Sequence, residues 1–237
     1  MSNLKIQKLL VRKEKGETPL ECLERVRKEQ GIDPLVPMTY AGRLDPMAHG
    51  ALLILLGEEC KKKNEYLGFD KEYVVEILLG VETDSYDALG VIKNTSTEKP
   101  AEIDFQKYVR KFAQTYPRYS SPVIAQKEVL DELPTKEVEI YEVADIEKKE
   151  MTGNQIAERA IGEIARVTGD FRQEEIIKKW QEFKEKYSTQ SFVIHTVRVK
   201  ASSGTYMRSL AHEIGKDLGV GAIAYGIERT KILGAVV

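Results

Sequence analysis

Cysteine is scarce in this chain. Cys22 and Cys60 lie far apart and form no CxxC pair, so neither a disulfide framework nor a zinc ribbon is indicated and both thiols are expected to be reduced. Long apolar runs are missing too. The longest, residues 51–56, falls well short of the ~20 residues a bilayer-spanning helix needs. The N-terminal residues carry charge where a signal peptide needs an apolar stretch, so no membrane association and a cytoplasmic location are expected. Histidines are few, and His49, His195 and His212 show no metal-motif spacing; no metal is expected. There is no glycine-rich phosphate loop, no internal repeat and no excess of charge of either sign. The 36 basic residues stand against 38 acidic ones for a net charge of −2, so any basic groove has to be assembled by folding.

What is present suits one sizeable core: 237 residues with ordinary hydrophobic content. A strand is expected over residues 4–11, then a helix. Thr18, Pro19 and Glu21 supply the N-cap, the first-turn proline and the capping-box acid, and Gly31 supplies the stop. Residues 37–50 have the prolines and glycines of a loop, followed by a buried strand from residue 51. Residues 61–63 form a lysine cluster in a short helix, which reads best as a solvated face. Alternation of Tyr73, Val75, Ile77 and Leu79 predicts a strand, with Asp87–Gly90 as the turn into a second. The spacing of Phe105, Tyr108, Val109 and Phe112 predicts a helix closed by Pro117. Residues 154–186 predict two helices, the second carrying Trp180, as a peripheral insertion at about 150–188. A strand over 191–201 and a helix opened by Gly204-Thr205 follow. Strands and helices do not alternate regularly, so the fold class is α+β and not a doubly wound parallel sheet.

Three segments set a reactive or ring side chain on constrained backbone. In Gly42-Arg43-Leu44-Asp45-Pro46 the aspartate has an ordinary reading as a turn residue. Tyr73, in Lys71-Glu72-Tyr73, has one as a core aromatic. In the segment Ser202-Ser203-Gly204-Thr205-Tyr206-Met207-Arg208 the arginine falls in the first turn of a helix, against the dipole preference, and so needs an anionic partner.

The order and spacing of these segments resemble the TruB-type tRNA pseudouridine synthases from about Lys13 to Leu233. Lys13-Glu14-Lys15-Gly16-Glu17-Thr18 resembles the family's opening element. Residues 40–57 resemble the segment built around Gly-Ala-Leu-Asp-Pro. Lys71-Glu72-Tyr73 and Thr83-Asp84-Ser85-Tyr86-Asp87 resemble the Lys-x-Tyr strand and the Thr-Asp-rich stretch after it. Residues 201–208 resemble the Cys-Ser-x-Gly-Thr-Tyr-x-Arg motif, and Gly221-Ala222 through Ile227-Glu228-Arg229 the closing segment.

The resemblance implies a pseudouridine synthase core, a mixed and mostly antiparallel sheet flanked by helices with a central cleft. It implies one catalytic domain over 1–237 with no room for a C-terminal PUA domain. The implied activity is isomerisation of a T-loop uridine in tRNA, without cofactor, by a monomer that binds the T arm. Asp45 would be the nucleophile, on the base or on the ribose; Arg208 would hold it ionised through a bidentate contact; Tyr73 would stack on the target base. Lys13, Tyr40, Arg43, Tyr206 and Ile227 would bind substrate, Ile227 as an apolar wall. Glu14, Tyr40, Arg43 and His49 depart from the family pattern, and the Gly-Arg-Leu-Asp form is closer to the ribosomal-RNA enzymes. Activity on ribosomal RNA or another tRNA uridine is therefore the alternative within enzymes. A non-catalytic RNA-binding or RNA-folding protein on the same fold is the alternative outside them.

Overall fold

The computed structural model describes residues 7–100, 102–120 and 132–235. Of the first strand expected from sequence, residues 4–6 lie outside the described set, and the strand itself, β1, is Lys8–Lys13. Helix α1, Pro19–Glu29, starts on the foreseen capping box, with the Thr18 hydroxyl and the Glu21 carboxylate each satisfying the other's backbone N–H.

The sheet is organised around β4, Lys71–Leu79, which pairs antiparallel with β9, Ser191–Ala201, on one side and β10, Ala222–Ile232, on the other. Beyond β9 come β8, Thr135–Thr152, and β7, Lys111–Thr115; beyond β10 come β3, Ala48–Leu56, and then β1. Strand β2, Met38–Ala41, pairs with the far end of β3. Among the described strands only β10 with β3 is parallel, over Ile227–Arg229 and Ala48–Gly50. A separate ribbon joins β5, Val81–Thr83, to β6, Ile92–Thr95. The expected mixed, mostly antiparallel sheet with flanking helices is what forms.

Period-two alternation gives the sheet two apolar faces. Val75, Ile77, Val197 and Val199 point to one, where they pack on Met207, Leu210, Ala211 and Ile214 of the helix Met207–Asp217. Leu78, Phe192, Ile194, Ile223 and Tyr225 point to the other, against the helices Gly153–Ile164 and Gln173–Tyr187. With the short helix Lys63–Leu67 as α2, these helices are α3 (Gly153–Ile164), α4 (Gln173–Tyr187) and α5 (Met207–Asp217).

The α3–α4 pair was expected to be peripheral. Instead it covers one face of the sheet: Ile156, Ala157, Ile176 and Trp180 are fully buried there, and the Trp180 indole N–H donates to the Ala88 carbonyl at 3.0 Å. The charged residues that dominate the sequence of this stretch are the outer faces of amphipathic helices.

Three other expectations change. Residues 102–115 form a 3-10 turn at Phe105–Tyr108 and then β7, not one helix. Phe105 and Tyr108 enter the core from the turn, whereas Phe112 and Gln114 do so by strand alternation, so the two parts together imitate helical spacing. The expected loop over 37–50 shrinks to residues 42–47, because its ends pair as β2 and β3. Strands β8 and β10 had not been foreseen. Each contains two register shifts, at Ile140/Glu142 and Asp145/Glu147 in β8 and at Ala224/Gly226 and Arg229/Lys231 in β10, and each shift resets the alternation that would have marked a strand.

Candidate active site

The short loop between β2 and β3 carries Asp45, and buried charge holds it in place. Arg229, on β10 and 1% exposed, donates from Nε to the Ala51 carbonyl at 2.7 Å and from its two terminal nitrogens to the carbonyls of Arg43 and Gly42 at 3.1 and 3.3 Å. Gly42 turns the chain there with φ of 82°. Below the loop, the Gly16 N–H donates to the Pro46 carbonyl at 2.9 Å and the Ala48 N–H to the Asp45 carbonyl at 3.0 Å. At Gly50, φ is 103° and an added Cβ would collide with the Arg229 carbonyl oxygen. Only glycine lets β10 approach this closely.

Arg208, in the first turn of α5, has the anionic partners its position requires. Its Nε lies 2.8 Å from Asp45 Oδ2 and 3.7 Å from Asp87 Oδ2. The 2.8 Å contact is an ion pair without an aligned N–H, since Nε has no hydrogen-bond partner of good geometry. It is also single and not the bidentate fork expected from sequence. One terminal nitrogen donates to the Ser85 carbonyl at 3.0 Å and the other approaches the Tyr119 carbonyl at 3.5 Å, so the fork is committed to backbone while Nε faces the carboxylates. Burial works against the charge on Arg208, but Asp45 and then Asp87 more than compensate and raise its pKa. The fully buried Asp87 carboxyl is pushed up to about 6 by burial, against the pull of Arg208 and the Ser85 hydroxyl.

Asp45, Arg208, Tyr73, Tyr206, Arg43 and Ile227 meet around one cleft of about 410 Å³. Tyr73 enters from β4 and Ile227 from β10, opposite Val75 across the strand pair. Burial raises the Tyr73 pKa, with the Arg229 guanidinium opposing. Tyr206 is fixed from behind by Gln114, whose amide accepts from its N–H at 2.7 Å and donates to its carbonyl at 3.1 Å. Lys136, bonded to the Ser203 carbonyl at 3.2 Å, stands at the rim, and the buried Lys71 forms part of the wall, its ammonium bonded to the carbonyls of Leu67 and Phe69. Burial lowers the Lys71 pKa to about 8.

Two residues expected at the substrate are elsewhere. Tyr40 lies outside the cleft, on β2, with its hydroxyl 3.4 Å from an Arg43 nitrogen and the Lys63 ammonium over its ring. Lys13 is fully buried beneath the loop, where its ammonium donates to the carbonyls of Glu14 and Glu17 at 2.9 and 2.6 Å. It supports the loop and cannot meet a ligand in the cleft. Conversely, Asp87, Lys71 and Arg229 had been given no role at the site.

Burial pushes the Lys13 pKa down from 10.5 to about 8, with Glu17 opposing. Between those values the unfolded chain binds more protons than the folded one, so stability should rise with pH across that window. Lys71 acts in the same sense. Urea unfolding between about pH 8 and 9.5 should show a gain of at most about 1.4 kcal/mol per pH unit for each lysine. The slope should be smaller in Lys13→Met; an equal slope in both proteins would show that Lys13 keeps an ordinary pKa.

Among the described residues no group of His, Cys, Asp and Glu is arranged to hold a metal ion, and no helix is long and apolar enough to cross a membrane. A carboxylate and a buried arginine share one cleft with a tyrosine across this mixed sheet. Solved chains in a Cbf5–Nop10–Gar1 complex and in an H/ACA RNP bound to a substrate RNA share the fold. The TM-scores are 0.56 and 0.53, with 19% and 17% identity over 95% of this chain, which spans about half of each of theirs (48% and 47%). Residues 36–155, about half of the chain, match the TruB family pseudouridylate synthase (N terminal domain). This protein belongs to that family. The tRNA pseudouridine synthase B of Protochlamydia amoebophila is 27% identical over 94% of this chain and 72% of its own length. That of Francisella tularensis subsp. holarctica is 31% identical over 81% and 54%.

Proposed function

We propose that this protein converts a uridine in the T loop of tRNA to pseudouridine, with Asp45 as nucleophile. The observation that carries the reading is the 2.8 Å contact between Asp45 and the buried Arg208 in the cleft that Tyr73 lines. The names of the relatives support tRNA as the substrate. The buried Arg208 guanidinium gives the Asp45 carboxylate a fixed positive partner, and a carboxylate oxygen is what attack on the uracil ring or the ribose carbon requires.

The target base must leave its stack, and the Tyr73 ring with Ile227 as an apolar wall helps offset that cost. The bond from uracil N1 to the ribose then breaks, the base turns, and C5 joins the same sugar carbon. The hydrogen on C5 leaves as a proton and N1 gains one. No atoms are added or lost, so the isomerisation is balanced without a co-reactant. Arg43 and Lys136 along the rim would meet phosphates, an attraction that weakens as salt rises despite the slightly acidic net charge.

The test is to map pseudouridines in total RNA from cells with and without the gene, and to incubate purified protein with a T-arm stem-loop. Loss of one T-loop pseudouridine in the cells, and its formation in the tube, are the expected results. Loss confined to ribosomal RNA would overturn the substrate, and no change in any RNA would overturn the activity.

A further inference from the structure

The Asp45 loop is held from two sides, and the Arg229 clasp is only one of them. Asp45 and Pro46 open a tight turn that the Ala48 N–H closes on the Asp45 carbonyl at 3.0 Å, and the proline ring fixes φ at its second position. Within this turn the Pro46 carbonyl accepts from the Gly16 N–H at 2.9 Å, with the Lys13 ammonium farther away at 3.5 Å. The pose of Asp45 therefore follows the position of Gly16.

Gly16 is placed in turn by the end of α3. Its φ is 97°, and a Cβ added to it would lie 2.9 Å from the Arg166 carbonyl oxygen, so its backbone packs on the backbone that follows the helix. The preceding residue adds a charged tie. Lys15 Nζ lies 2.8 Å from Oε1 of Glu163, in the last turn of α3, with the two side chains only 20% and 15% exposed. Arg159, one turn earlier, donates to the same oxygen at 3.0 Å and to the Glu76 carboxylate of β4 at 3.0 Å. Lys149 of β8 reaches Glu76 at 2.9 Å. Beyond the helix the Thr168 hydroxyl meets Glu21, the capping-box acid of α1.

A row of ion pairs thus runs from the middle of the sheet through α3 to the residue before Gly16. Its helix cannot drift, because Ile156, Ala157, Ala160 and Ile164 are fully buried against the sheet. Pairs shielded in this way lose more when one partner is removed than surface pairs do, since the remaining charge is left without its counter-ion.

We propose that Lys15 and Glu163 are positioning residues for the reaction: their ion pair fixes Gly16, and through the Gly16 N–H it fixes the turn that aims Asp45. Neither side chain lines the cleft, so they act through the loop and not on the target nucleotide. The proposal rests on the assignment of Asp45 as nucleophile above, and it gives α3 a part in the chemistry besides its cover of the sheet. An attacking group is sensitive to such support, because a misplacement of about 1 Å caused far from the chemistry can cost about a hundredfold in rate.

The test is conversion of a T-arm stem-loop in single turnover over a range of protein concentrations. Lys15→Met keeps the length of the side chain and removes the ammonium. It should lower the saturated rate by about tenfold or more while the half-saturating concentration stays within about twofold. Glu163→Gln, nearly isosteric, should act in the same direction, and the double variant should be no slower than the worse single one, because both changes break one contact. Lys15→Arg keeps the charge and should recover most of the rate. Amide exchange at Gly16 should quicken in Lys15→Met as its bond to the Pro46 carbonyl opens. Ile176→Val leaves a small cavity beneath the same pair of helices without touching the row, and it should convert RNA at the wild-type rate.

An unchanged saturated rate in Lys15→Met would overturn the proposal, since the loop would keep its pose without the pair. So would weaker half-saturation with the rate intact, which would make Lys15 a phosphate contact. An equal loss of rate in Ile176→Val would reduce the effect to stability and overturn it as well. Each of those outcomes leaves the activity standing, whereas a wild-type protein that converts no RNA removes both.

Discussion

Asp45→Asn should release no tritium above background from RNA labelled at uracil C5, while its affinity for that RNA stays within a few-fold of wild type. Asparagine keeps the shape of the side chain, and the loop is fixed by bonds that do not involve it: Arg229 to the carbonyls of Gly42 and Arg43, and the Gly16 N–H to the Pro46 carbonyl. The side chain of Asp45 is about one-third exposed, so the change does not strand a buried partner either. Arg208 keeps Asp87 as its counter-ion. What disappears is the negative oxygen assigned the attack in the proposed reaction. Steady release by the variant at a measurable fraction of the wild-type rate would remove Asp45 from the role of nucleophile.

Arg208→Lys should lower kcat by two orders of magnitude or more, a loss of roughly 3 kcal/mol in the transition state, with KM changing far less. Arg208 does four things at once: Nε faces Asp45 and Asp87, and its terminal nitrogens reach the carbonyls of Ser85 and Tyr119. An ammonium is a point charge on a flexible stem. It keeps the charge but cannot span those partners from one position, and it lets Asp45 rotate. Single-turnover conversion at saturating RNA separates the two parameters. A lysine variant with near wild-type kcat would mean that the site needs only positive charge there.

How much of this was legible in the sequence depended on whether a residue's neighbours in space were also its neighbours in the chain. Helix α1 was, because its capping box lies within four residues. Strand β4 was, because Tyr73, Val75, Ile77 and Leu79 put an apolar residue at every second position, with Glu72 and Glu76 on the other face. Arg208 stood out as a cation in the first turn of a helix, a local conflict that only a distant anion resolves. That the anions are Asp45 and Asp87 could not be read locally, and Asp87 passed for a turn residue because the fold of the β5–β6 ribbon is what brings it inward. Arg229 gave one signal, a cation in a strand otherwise uncharged up to Ile227, and two register shifts hid the strand itself. Lys13 and Tyr40 were expected at the substrate by resemblance alone. Burial of the first, and the packing of the second against the core beneath α1, show why shared motif spacing does not place a side chain in a cleft.

Strand β10 has a consequence for how the molecule comes into being. It is the last strand of the sheet in chain order, yet it lies between β3 and β4. Until it docks, the unit of β1, β2 and β3 and the unit of β4, β9, β8 and β7 have no strand pairing between them. Its partners at Ala48–Gly50 and Lys71–Leu79 are well over a hundred residues upstream, the kind of long-range closure that slows folding. Because β10 also brings Arg229 to the Asp45 loop, a chain still emerging from the ribosome would carry that carboxylate on a loop without the arginine that clasps its Gly42 and Arg43 carbonyls. Competence to act on RNA would then arrive in one late step, when synthesis has passed Ile232, instead of growing with the length of the chain.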